Sequence, residues 1–107
     1  MTIREIQAFV FEEYCKNGFY DKFDCDDTEI SDIAELGLIT TEVAEAIEVV
    51  RRGVDCDADS GHLAEECADI IIRTLNFMSR WNLDAESAIV KKNAKNGERE
   101  KLHGKRI

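Results

Sequence analysis

Glu42 and Glu45 stand three residues apart, and after twenty intervening residues Glu66 and Asp69 repeat the spacing. On a helix, residues three apart share a face, so each pair presents two carboxylates together. Four carboxylates aimed at one small volume repel one another. Either their proton affinities rise or a cation neutralises them. An all-oxygen ligand set suits Mg²⁺, with Mn²⁺ as a substitute, and Mg²⁺ keeps open positions that phosphate oxygens can fill. One ExxE is a weak signal, because helices are rich in Glu. The informative feature is ExxE followed by ExxD on two stretches whose apolar patterns turn the acids toward each other.

The second pair lies in His62–Trp81, twenty residues without Gly or Pro and apolar around most of a helical wheel, as expected of a helix inside a bundle. Its polar members fall at 62, 66, 69, 73, 76 and 80, which lines His62, Glu66, Asp69, Arg73, Asn76 and Arg80 along one narrow strip. The plain alternative is a solvent face. Against it, Glu66 sits between Leu63 and Ile70, on the edge of the apolar face, and the strip separates its acids from its bases. Arg73 pairs with Asp69 one turn before it or contacts phosphate, and both options stand. His62 reads as a surface or capping residue, and Trp81, Phe77 and Met78 as core.

The first pair lies in a helix from about 31 to 52. Leu36, Ile39, Val43, Ile47 and Val50 form its expected core stripe, and Leu38, Glu42, Glu45 and Val49 an adjoining strip. A link of eight residues, 53–60, favours antiparallel packing of the two helices, with Asp59 or Ser60 as the cap of the second. Before them, Thr2 and Glu5 make a capping box for a helix over 3–16, stopped at Asn17-Gly18. Residues 19–29 read as an acidic loop. Its Asp24, Asp26 and Asp27 do not make a calcium loop, since Glu29 stands where an EF-hand requires Gly. Asp84 caps a fourth helix over about 85–95. With helices also expected over 31–52 and 61–81, the fold class is all-α, a four-helix bundle-like subunit in a single domain.

At 107 residues the chain supports one core. No segment is long and apolar enough to cross a membrane, and no basic-then-apolar leader opens it, so the expectation is a cytoplasmic protein without a membrane partner. Cys15, Cys25, Cys56 and Cys67 form no CxxC pair, which fits reduced thiols. Residues 91–107 carry seven Lys or Arg against two Glu, a net +5, leaving −14 on residues 1–90. An acidic body with a basic end argues against nucleic acid as a partner. The third helix is apolar around too much of its circumference for three partners to cover, which points to a homodimer or homotetramer.

TEVAEAIEVVRRG and HLAEECADIIIRTL together resemble the two metal-binding helices of the MazG-like, all-α NTP pyrophosphatases, whose signature is ExxE, a spacer and ExxD. DAESAIVKKNAKNGEREKLHGKRI is similar to the C-terminal segment of that family. The resemblance covers about 36–106. One departure is Thr41, where many members carry a further Glu. The resemblance implies Mg²⁺-dependent hydrolysis of a nucleoside triphosphate, a dNTP or a non-standard NTP, to the monophosphate and pyrophosphate, a house-cleaning of the nucleotide pool. It implies Glu42, Glu45, Glu66 and Asp69 as metal-binding catalytic carboxylates, with Lys92, Asn96 and Arg99 on the substrate phosphates; Arg73, one turn after the second pair, is a further candidate by its spacing. It also implies assembly as a dimer or a dimer of dimers. The alternative function is a helical binding or oligomerisation module that keeps the architecture without turnover. A carboxylate-bridged di-iron protein is disfavoured because neither acidic motif contains Glu-x-x-His.

Overall fold

The structure, a computed structural model, describes residues 1–18 and 28–103, with side chains for 1–18 and 31–99. Four helices follow in order: α1 (Ile3–Lys16), α2 (Thr28–Arg52), α3 (Asp57–Arg80) and α4 (Ala85–His103). Among the described residues there is no strand. The acids at 24, 26 and 27 and Cys25 lie outside the described residues.

Local chemistry sets the boundaries. Thr2 Oγ1 accepts from Glu5 N at 3.1 Å while Glu5 Oε1 accepts from Thr2 N at 2.9 Å, the reciprocal capping box that the sequence proposes for α1. Those contacts hold the Glu5 carboxyl below its usual range. α3 starts one turn earlier than 61, because Asp57 and Asp59 fill its first turn and suit the positive end of the helix dipole. Asp59, instead of capping at 59, reaches back from inside the helix to accept from Asp55 N at 3.2 Å. At the other end Asn82 takes φ 55°, and Leu83 N donates to Met78 O at 2.8 Å while Asn82 N donates to Ser79 O at 2.9 Å, a Schellman closure. Asp84 Oδ1 then accepts from Ser87 N at 3.3 Å and caps α4. α4 runs through Asn96-Gly97 to His103 and passes the expected end at 95. An interior Gly costs a helix only about 1 kcal/mol, which does not stop it.

α3 is the central element, packed on one side by α2 and on another by α1, and α4 rests chiefly on α1. Gln7 joins the pieces. Buried at 7% exposure, it donates from Nε2 to Leu83 O at 2.8 Å and to Ser79 Oγ at 3.1 Å, and its Oε1 accepts from Ala85 N at 3.0 Å. Arg4 adds an exposed bond to Asp84 at 2.7 Å.

The apolar pattern is turned opposite to expectation. Among the described residues, Val49, Leu75 and Ala85 are the buried apolar ones, against Gln7, Ser31, Glu35, Glu42 and Asn76 as buried polar ones. The expected core stripe of α2 faces mostly outward, with Leu36, Val43, Ile47 and Val50 exposed and Ile39 half-buried, and Ile33 extends it. Of the strip on α3, Glu66, Arg73 and Arg80 are half-buried and Asn76 is buried, as its place beside the apolar face suggests, while His62 and Asp69 are exposed. Ion pairs explain the rotation. Arg80 Nη1 bonds Glu35 and lies 3.2 Å from Asp32, and Arg73 Nε donates to Glu42 Oε1 at 2.9 Å, so the α2–α3 register is set by charge. Trp81, expected in the core, is 56% exposed.

Candidate metal centre

Glu42 and Glu45 reach the site from α2 because three residues of helix separate them by a little less than one turn's rise, and Glu66 meets them from α3. One carboxylate oxygen from each of the three comes within 4.8 Å of the others. Glu42 is buried, Glu66 half-buried and Glu45 exposed. The site is therefore an edge of the α2–α3 interface, open on one side.

Two neighbours contact the carboxylates, and Arg73 brings a balancing positive charge. Arg73 holds Glu42 Oε1, and His62 Nε2 lies 3.1 Å from Glu66 Oε1. The second oxygen of Glu66 is buried and has no hydrogen-bond partner among the described residues. A buried carboxylate oxygen without donor or cation is costly, and a bound cation would supply what it lacks. The donor set is all oxygen, the chemistry of Mg²⁺ or Mn²⁺. Three carboxylates, one of them orphaned on its inner oxygen, fit such an ion.

The other expected site residues are placed as follows. Asp69 is exposed one turn beyond Glu66 and lines a cavity of about 180 Å³ with Tyr14, Ile72, Arg73 and Asn76. It is not one of the three carboxylates that come together. Arg73 pairs across to Glu42 rather than with Asp69 along its own helix. Lys92, Asn96 and Arg99 share one exposed edge of α4, at spacings of four and three, and α4 packs chiefly on α1. Within one chain they are not joined to the carboxylates by any described contact.

Several residues around the site have roles that the sequence reading did not assign. Glu35 is 3% exposed and pairs with Arg80. Its signal was periodic: Glu35, Glu42 and Val49 recur every seven residues, a single inward line on α2. Tyr14 closes the far side of the Asp69 cavity, and burial, followed by the nearby Glu35 charge, pushes its phenol up to about 12. It is a neutral wall at every physiological pH.

No protein-family model matches the chain, and no curated protein or solved structure matches it either. Among the described helices, none is long and apolar enough to cross a membrane.

Proposed function

We propose that this chain is an Mg²⁺-dependent nucleoside triphosphate pyrophosphohydrolase of the MazG-like kind, acting on dNTPs or non-standard NTPs as a homo-oligomer. The observation that carries the reading is the meeting of Glu42, Glu45 and Glu66 from two helices, with an orphaned buried oxygen on Glu66. That is where the ExxE and ExxD motifs predict a divalent ion.

Glu42, Glu45 and Glu66 would hold the ion, with Asp69 one turn away on the approach to it. When bound, the ion supplies charge neutralisation of the phosphate chain and acidification of a ligated water. The remaining chemistry belongs to the chain. A carboxylate of the group accepts the proton of the attacking water, an O–P bond forms, and the anhydride bond to the pyrophosphate leaving group breaks. Arg73, 39% exposed at its side chain and already beside Glu42, is positioned to meet phosphate oxygens entering from the open side. Lys92, Asn96 and Arg99 provide a second set of phosphate donors.

Two features favour a second copy of the chain as the partner. Ile33, Leu36, Val43, Ile47 and Val50 form an exposed aliphatic stripe on α2, and among the described residues no large side chain is fully buried. A stripe of that length left in water is the signature of an interface. Association would also let the exposed α4 edge of one subunit serve the carboxylates of another.

A screen of the common NTPs and dNTPs with Mg²⁺, reading pyrophosphate release, tests the activity. Pyrophosphate with an equimolar monophosphate from at least one substrate, abolished by EDTA, is the expected result. Absence of pyrophosphate from every substrate would leave the carboxylates without the proposed role.

A further inference from the structure

His62 stands one helical turn before Glu66 on the same face of α3, and its Nε2 lies 3.1 Å from Glu66 Oε1. On most helices an exposed pair four residues apart contributes little. Here the carboxylate it meets is the one by which α3 enters the group of Glu42, Glu45 and Glu66.

Spacing, distance, exposure and charge all suit the imidazole to a bound cation. Two ligating side chains four apart on one helix face can share an ion, as the paired histidines of helical zinc motifs do. Neighbouring ligands of an octahedral ion with bonds of about 2.1 Å stand about 3.0 Å apart. Nε2 and Oε1 already have that separation. The His62 side chain is 52% exposed against 14% for Glu66, so the ring sits on the open side of the site. It is not one of the three side chains whose oxygens come within 4.8 Å of one another, and it joins them by turning about its own side-chain bonds. The three carboxylates carry three negative charges when ionised, against one positive charge on Arg73. A neutral imidazole adds a donor without adding a fourth like charge.

We infer that His62 Nε2 is a ligand of the divalent ion, and that it makes the centre a mixed nitrogen and oxygen site that favours Mn²⁺ over Mg²⁺. The inference rests on the proposed metal-dependent hydrolase reading, which supplies the three carboxylate ligands. Imidazole nitrogen suits first-row transition ions, whereas Mg²⁺ keeps to oxygen and is held by the carboxylates alone. Facing a carboxylate, Nε2 donates its N–H. Facing a cation, it offers its lone pair and the ring proton resides on Nδ1.

The test uses the intact protein with Mn²⁺ or Mg²⁺ alone, so that it is independent of turnover. Pulsed electron paramagnetic resonance of the Mn²⁺-loaded wild type is expected to show the nitrogen coupling of a directly bound imidazole, and His62→Gln should lose it. In calorimetry the same substitution should weaken Mn²⁺ binding about tenfold and leave Mg²⁺ binding within about twofold. Bound Mn²⁺ without nitrogen coupling in the wild type overturns the inference without any variant having to fold. So does coupling that survives in His62→Gln, where the one remaining histidine is His103, and so does an equal loss of affinity for both ions. Failure of the hydrolase reading looks different. Nitrogen coupling without pyrophosphate release from any triphosphate would leave the mixed centre in place and remove the catalytic proposal, whereas a wild type that binds no Mn²⁺ would overturn both.

Discussion

The two long edges of α2 are built from opposite materials and face the opposite way from what those materials suggest. The edge turned to α3 carries Ser31, Glu35, Glu42 and Val49, and all four are buried. The edge turned to solvent carries Ile33, Leu36, Val43, Ile47 and Val50, exposed between 39% and 62%. A helix that hides acids and shows aliphatics is stable only if each edge has a partner. For the inner edge the partners are present: Arg80 for Glu35 and Arg73 for Glu42. For the outer edge the proposed partner is another copy. The comparison teaches that the charge pairs orient α2 so as to place its carboxylates over α3, and that this orientation leaves the apolar stripe exposed.

Breaking the outer edge should have the largest effect. Replacing one interface aliphatic by a charge forfeits about 1.5–3 kcal/mol of burial and adds the cost of burying a carboxylate. Ile47→Asp or Val43→Asp should therefore convert the oligomer to monomer in sedimentation at micromolar concentration, whereas Ala34→Asp, on a different exposed face, should not. A wild-type protein that sediments as a folded monomer at that concentration would remove the outer edge from the account.

The inner edge divides more finely. Three carboxylates facing one volume suggest that neutralising any of them stabilises the metal-free protein, but the contacts distinguish two. Glu66→Gln replaces a carboxylate whose inner oxygen has no partner, and should raise the metal-free melting temperature. Glu42→Gln weakens the bond from Arg73 and should lower it, by about 1 kcal/mol once the exposure of the Arg73 side chain is allowed for. Thermal melts in EDTA read both. Equal shifts of the same sign would show that the Arg73 pair does not set the α2–α3 contact.

Arg73 is also the counter-cation that a metal must share Glu42 with. Arg73→Gln removes a positive charge next to the carboxylates, and Mn²⁺ affinity measured by calorimetry should tighten several-fold even as phosphate binding weakens. Weaker Mn²⁺ binding would mean that Arg73 builds the site instead of competing for it.

The smallest effect is alkaline. The folded-state value of the Tyr14 phenol, about 12, lies above the 10.0 of a free tyrosine. The contribution of Tyr14 is fully present below pH 10 and is lost as pH rises toward about 12. In Tyr14→Phe this loss across pH 10 to 12 should be shallower, as followed by circular dichroism. An unchanged slope would place Tyr14 in water.

Much of this architecture could be read from residue spacing. The α1 capping box, the cap at Asp84 and the narrow strip on α3 all follow from short-range rules, and each is observed. The helix starts at 28 and 57 were not legible, because acidic residues that suit a first helical turn also suit a loop. Nor was the direction in which α2 faces. Periodicity shows that Leu36, Val43, Ile47 and Val50 share a face, and it cannot tell a face turned to the chain's own α3 from one turned to another molecule. That choice was carried by Glu35–Arg80 and Glu42–Arg73, pairs separated by 45 and 31 residues that no local pattern connects. Asp69 shows the same limit at the site. Its spacing matches that of Glu45, yet within one chain it opens onto the cavity beside Tyr14 and not onto the other three acids.

The most direct test of the inward-turned acids as a catalytic metal site is pyrophosphate release from a mixture of dNTPs in Mg²⁺, measured side by side for wild type, Glu66→Gln and Glu48→Gln. Glu48 lies on the same helix as Glu42 and Glu45 but is exposed and pairs with Arg52 at 3.5 Å. The account predicts turnover by the wild type, a loss of about 100-fold or more in Glu66→Gln, at or beyond the effect of removing a group that merely supports a metal ligand, and no change in Glu48→Gln. Equal rates for Glu66→Gln and Glu48→Gln would contradict it.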